Sequence, residues 1–109
     1  MSFVIQGLKA EAEAVDVSAR SLHQKFSLKL IEQYGEDIGV VFAFLMNILC
    51  LKKGEWFLID AGVPHCYIQG ELMECMINSD NVVRGGLTNK LKDSATLCEI
   101  LPYEARTAP

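Results

Sequence analysis

Residues 63–90, VPHCYIQGELMECMINSDNVVRGGLTNK, decide how the chain is read. They hold a histidine, a tyrosine, acids, an arginine and a lysine in a stretch otherwise made of strand and turn residues. Gly70-Glu71 predicts a two-residue type II′ turn, because Gly occupies the first central position, where φ must be positive. Gln69 then faces Leu72, Tyr67 faces Glu74, Cys66 faces Cys75 and His65 faces Met76. Directly opposed residues share a face and successive ones alternate. His65, Tyr67 and Glu74 therefore fall on one polar face, and Cys66, Ile68, Met73, Cys75 and Ile77 on an apolar one that is expected to be core. A slip of one residue would mix the two faces.

Upstream, residues 8–34 read as helical: there is no proline, and Ala, Glu, Leu and Lys dominate. Val15, Leu22, Phe26 and Leu30 form a stripe that Leu28 and Ile31 broaden. Ser18 or Ser21 is placed to cap a second helix, with Gln24 in capping-box position relative to Ser21. Gly35 ends that helix from the C′ position. Residues 1–7 are ambiguous.

From residue 38 the pattern changes. VVFAFLMNILCL is rich in β-branched and aromatic residues, and Lys52-Lys53-Gly54 marks a turn. Short strands follow near residues 56–59 and 81–84, on either side of the hairpin, and residues 91–101 read as a closing helix capped by Asp93 or Ser94. The predicted class is α+β: a helical segment, residues 1–37, then an antiparallel β portion of the sandwich or barrel type with a short C-terminal helix, residues 38–109.

Half of the 109 residues are hydrophobic and 22% are charged, a globular composition. A formal net charge of −4 with no Lys/Arg cluster argues against nucleic acid as a partner. The longest apolar run, residues 38–51, is shorter than the roughly 20 residues a bilayer span needs, and the N-terminus carries no secretory signal pattern. A cytoplasmic protein is expected. The four cysteines, Cys50, Cys66, Cys75 and Cys98, have no zinc-ribbon spacing and read as buried free thiols in a reducing compartment.

PHCYIQGELMECMINSDNVVRGGLTNK resembles the metal-site and substrate-site segment of type I mannose-6-phosphate isomerases. The likeness extends upstream through GEDIGVVFAFLMNILCLKKGEWFLIDAG and downstream through TLCEILPY, about residues 34–103. The SDNVVR-G-LT-K string is its most specific part. The resemblance implies a cupin (jelly-roll) fold for the β portion. It also implies a zinc-dependent aldose–ketose isomerase that interconverts mannose 6-phosphate and fructose 6-phosphate, supplying precursors of GDP-mannose.

Carried over residue by residue, the resemblance makes His65 a zinc ligand and Arg84 the catalytic cation. Tyr67, Glu74, Asp80 and Lys90 become residues of the sugar-phosphate pocket. The family's other zinc ligands, a Gln-x-His pair and a glutamate, should lie upstream, where the chain has only His23 in the context Ser21-Leu22-His23. A catalytic zinc needs about three protein ligands and an open position. The expectation is therefore a partial catalytic region, inactive alone, whose uncovered strand edges favour self-association or the remainder of an enzyme. Without the resemblance, Arg84 and Lys90 would be solvated cations and Asp80 a turn residue. A second reading is a non-catalytic cupin-like module that binds sugar phosphate or a partner; an oxygenase-type cupin would need histidines this chain lacks.

Overall fold

The computed structural model describes residues 2–105; Met1 and residues 106–109, the outer ends of the two expected segments, lie outside the described residues. Among the described residues four helices form: α1 (Ser2–Ala14), α2 (Leu22–Tyr34), α3 (Gly39–Leu45) and α4 (Ser94–Ile100). α1 packs on α2, and α2 on α3.

Each helix ends for a local reason. The last carbonyls of α1 lack intrahelical donors, and Arg20 supplies one, its Nε donating to Ala12 O (2.9 Å) and Val15 O (3.2 Å). Ser21 caps α2 in a full capping box with Gln24, as the sequence predicts. Gly35 closes α2 at φ +68°, its N–H donating to Ile31 O at 2.8 Å. Asp93 caps α4 by accepting the Thr96 N–H at 3.0 Å. The ambiguous start of the chain is helical from Ser2, and α4 is shorter than the expected 91–101.

The buried positions of α1, Ile5 and Ala12, lie seven residues apart and so share one face. Leu30 of α2 joins Val40 and Ala43 of α3 in the main cluster, with Ile31, Tyr34 and Leu87 packed against it. Leu87 brings a distant loop into an otherwise helical core. Its N–H and the head of α3 are held by one carboxylate, Asp37.

The expected β portion is corrected. Among the described residues there is no β-strand, and so no sheet, sandwich, barrel or cupin-like jelly roll; the fold is helical rather than α+β. Residues 39–45, within the run read as strand, form α3. Residues 46–93 are turns and irregular backbone. The physical reason lies in what a strand requires. A helix satisfies its own backbone, whereas an isolated two-stranded hairpin is marginal in water and needs a third strand or a packed helix. The composition of residues 46–93 favours extended chain but does not furnish the neighbours that turn extended chain into a ladder.

The face expected to be core is correspondingly open. Met73 and Ile77 are each 90% exposed, and Trp56 is 83% exposed. The radius of gyration, 15.0 Å, exceeds the roughly 13 Å of a packed domain of this length. All four cysteines are free, as expected, but exposed rather than buried.

Two substitutions separate the helical core from the sandwich reading. Leu30→Ala is expected to cost about 2–5 kcal/mol in a urea melt, the range for a buried leucine. Met73→Ala should stay within about 0.5 kcal/mol, as an exposed residue does. A sandwich core would make Met73 costly too.

Candidate functional site

The hairpin reverses where the sequence places its turn. Gly70 has φ +126°, in the region that favours glycine. Tyr67 and Glu74 come together as the pairing requires: the Tyr67 hydroxyl donates to Glu74 Oε1 at 2.8 Å. The His65 ring stands edge-on to the Tyr67 ring, centroids 5.8 Å apart. His65, Tyr67 and Glu74 thus form one cluster without a β-ladder beneath them. Lys29 of α2 steadies the hairpin from outside, its Nζ donating to Gln69 Oε1 at 2.7 Å. The Glu74 hydrogen bond favours the neutral phenol and pushes the Tyr67 pKa up, with minor help from desolvation and the nearby carboxylate charge.

Tyr67 also lines a shallow recess of about 90 Å³ with Cys66, Ile68, Leu30, Gln33, Tyr34 and Leu87. Desolvation there pushes the Cys66 thiol up. The recess is far below the few hundred Å³ of a typical small-molecule pocket. It joins the hairpin to the loop that carries Arg84 and Lys90.

Arg84 is half-buried and makes no hydrogen bond or ion pair with a described residue. Lys90 is exposed; its backbone N–H donates to Thr88 Oγ1 at 3.1 Å. Asp80 is exposed in a turn where the Val82 N–H donates to its carbonyl at 2.7 Å. Arg84, Lys90 and Asp80 make no hydrogen bond, ion pair or ring contact with His65, Tyr67 or Glu74.

Gly85 and Gly86 serve the protein's own packing. A Cβ on Gly86 would lie 2.6 Å from Asp37 Oδ1 and 2.8 Å from Gly39 N, and one on Gly85 would lie 2.6 Å from Leu97 Cδ2. Asp37, absent from the sequence reading, organises this junction. Its Oδ1 accepts the N–H of Gly39 (2.8 Å) and of Leu87 (2.9 Å), and Oδ2 accepts Lys92 Nζ at 2.6 Å. The Asp37 side chain is 7% exposed. Burial alone would raise its pKa, but the Lys92 bond and the two amides together outweigh it and hold the carboxyl below its ordinary range.

The donor set does not fit a zinc ion. Among the described residues no group of three or more His, Cys, Asp or Glu side chains stands together to hold a metal. His65 is exposed with Nδ1 2.9 Å from Val63 O. His23 stacks on Phe44 and lies 3.4 Å from Met46 O, so it is a packed structural histidine. No helix is long and apolar enough to cross a membrane among the described residues.

Comparison with known proteins places the chain. No family profile and no solved structure matches it. Among curated proteins it is 52% identical over 79 residues to the mannose-6-phosphate isomerase of Cryptococcus neoformans, which is 72% of this chain and 18% of that protein. It is 55% identical over 76 residues to the probable mannose-6-phosphate isomerase of Dictyostelium discoideum (70% and 17%). It is 50% identical over 76 residues to the mannose-6-phosphate isomerase of Homo sapiens (70% and 18%). A contiguous 79 residues in a chain of 109 includes residues 31–79 wherever it begins, and with them His65, Tyr67 and Glu74. Over this stretch the chain is homologous to the mannose-6-phosphate isomerases, and it spans about a fifth of the length of those relatives.

Two measurements follow from this geometry. All four thiols should react with a disulfide reagent in native protein without denaturant, Cys66 at a reduced rate because its thiolate is disfavoured. The Asp37 carboxyl has a folded pKa below the ordinary 3.8. Its contribution to stability is therefore full above about pH 4 and is lost as pH falls through the lower folded value. Asp37→Asn should flatten the acid limb of a melting-temperature profile.

Proposed function

We propose that this chain is the sugar-phosphate-handling segment of a mannose-6-phosphate isomerase acting in the cytoplasm. The observation that carries the reading is half identity to such isomerases over a stretch that includes His65, Tyr67 and Glu74. In this reading Arg84 is the catalytic cation. Its guanidinium, not engaged by any described residue, stabilises negative charge as a proton moves between C1 and C2 through an enediol. Lys90 holds the phosphate as a point charge. Tyr67, with its proton retained by Glu74, presents a hydroxyl to the sugar, and Asp80 lines the same pocket. Zinc, which the family likeness implies for His65, would supply Lewis-acid chemistry; the donors present do not hold it, and no step is derived through it.

Three results test this reading. The purified chain should show no turnover of mannose 6-phosphate in a coupled assay, with or without added zinc, since one histidine does not make a catalytic site. Turnover approaching that of a full-length relative would refute this. In an isomerase containing this segment, Arg84→Ala should lower kcat by about 10²–10³ with a smaller change in KM, the mark of a transition-state interaction. Arg84→Lys should recover little, because a point charge does not replace a planar fork. Lys90→Ala should chiefly raise KM. If Arg84→Ala alters KM alone, Arg84 joins Lys90 as a binding residue.

A further inference from the structure

We infer that Asp37 is a positioning residue: by fixing the Leu87 amide to the head of α3, it sets the loop that bears Arg84 and Lys90. Three observations meet at this point. Asp37 Oδ1 bridges Gly39 N–H and Leu87 N–H, residues that lie 48 apart in sequence but share one acceptor. Gly86 approaches so closely that any side chain there would strike Gly39 backbone and the Asp37 carboxylate. The Leu87 side chain packs against the core of Leu30, Val40 and Ala43, so the loop is pinned by its backbone on one side and its side chain on the other.

Arg84 precedes this anchor by three residues and Lys90 follows it by three. Neither cation is held by a described partner of its own, so the anchor between them is what limits their reach. Lys92 closes the far side of the loop on Asp37 Oδ2. A carboxylate accepting three hydrogen bonds is a strong point of attachment, because charge-assisted bonds exceed neutral ones. A small displacement of positioning groups is enough to slow a reaction about 10²-fold. The catalytic consequence rests on the isomerase reading; the anchor itself does not.

The experiment pairs amide hydrogen exchange with ligand titration on the purified chain. In the unsubstituted protein Leu87 and Gly39 amides should exchange slowly. Asp37→Ala should speed exchange at both by about tenfold or more, the worth of a hydrogen bond to a charged group, while Leu30 and Ile31 of α2 keep their rates. Uniform loss across α2 as well would show a general structural role and overturn the inference, as would unchanged exchange at Leu87. Asp37→Asn keeps one carbonyl oxygen for both amides and loses the Lys92 bond. It should restore slow exchange at Leu87, and failure to do so with the helices intact by circular dichroism overturns the inference too. It also decides the matter should the alanine variant not fold.

Mannose 6-phosphate, followed by the Arg84 and Lys90 side-chain resonances, supplies the functional arm. Asp37→Ala should weaken binding about tenfold and Asp37→Asn should restore most of it. Equal affinity in Asp37→Ala overturns the positioning role. If mannose 6-phosphate leaves the unsubstituted chain unperturbed, the sugar-phosphate reading of this segment fails, and the exchange result alone decides the anchor.

Discussion

The acceptance of two distant amides by one carboxylate organises this molecule. Asp37 lies just before α3 and offers Oδ1 both to Gly39, at that helix's head, and to Leu87, in a loop fifty residues further along the chain. Without it, the Gly39 amide at the head of α3 would lose its acceptor and the loop would have no fixed height above the core. The contact is local and long-range at once. Because the Asp37 side chain is nearly enclosed, its charge must stay matched, and Lys92 matches it. Leu87 then fills the space beside Leu30 and Val40. In this way an irregular stretch shares a core with two helices, α2 and α3.

What was legible in the sequence is what is decided locally. The Ser21–Gln24 capping box, the Gly35 stop and the Asp93 cap each involve residues within a few positions of one another, and each is found; Gly70 takes the positive φ that its turn requires. The Tyr67–Glu74 contact belongs to the same class, since seven residues and one turn separate the partners. The strands are where the reading failed. Val40, Val41, Phe42 and Phe44 carry strand-like composition, but tertiary context decides such short apolar runs, and here α2 offers them a helical packing surface. Extended segments in residues 46–93 lack the neighbouring backbone that makes a sheet.

Of the candidate site, the hairpin cluster was legible and the position of Arg84 and Lys90 was not. Their loop is set by Asp37, Gly39 and Gly86, which lie outside any motif that names chemistry. A signal was nonetheless present: an aspartate immediately before an apolar run is a helix-start signature. Treating Ile38 onward as strand hid it. The paired glycines Gly85 and Gly86 likewise carry no motif that names chemistry; their lack of a side chain is needed by packing.

Leu87 is caught between two demands that pull in opposite directions. Its backbone sits at φ +52°, where any residue with a Cβ costs of order 1–3 kcal/mol and glycine would be at ease. Its side chain, however, is a member of the core, and glycine would leave a hole there. A β-branched replacement such as valine or isoleucine adds crowding at Cβ and worsens the backbone without improving the fill. Sequence drift at this position is thereby confined to a narrow corridor: an apolar side chain unbranched at Cβ, tolerated at a disfavoured dihedral.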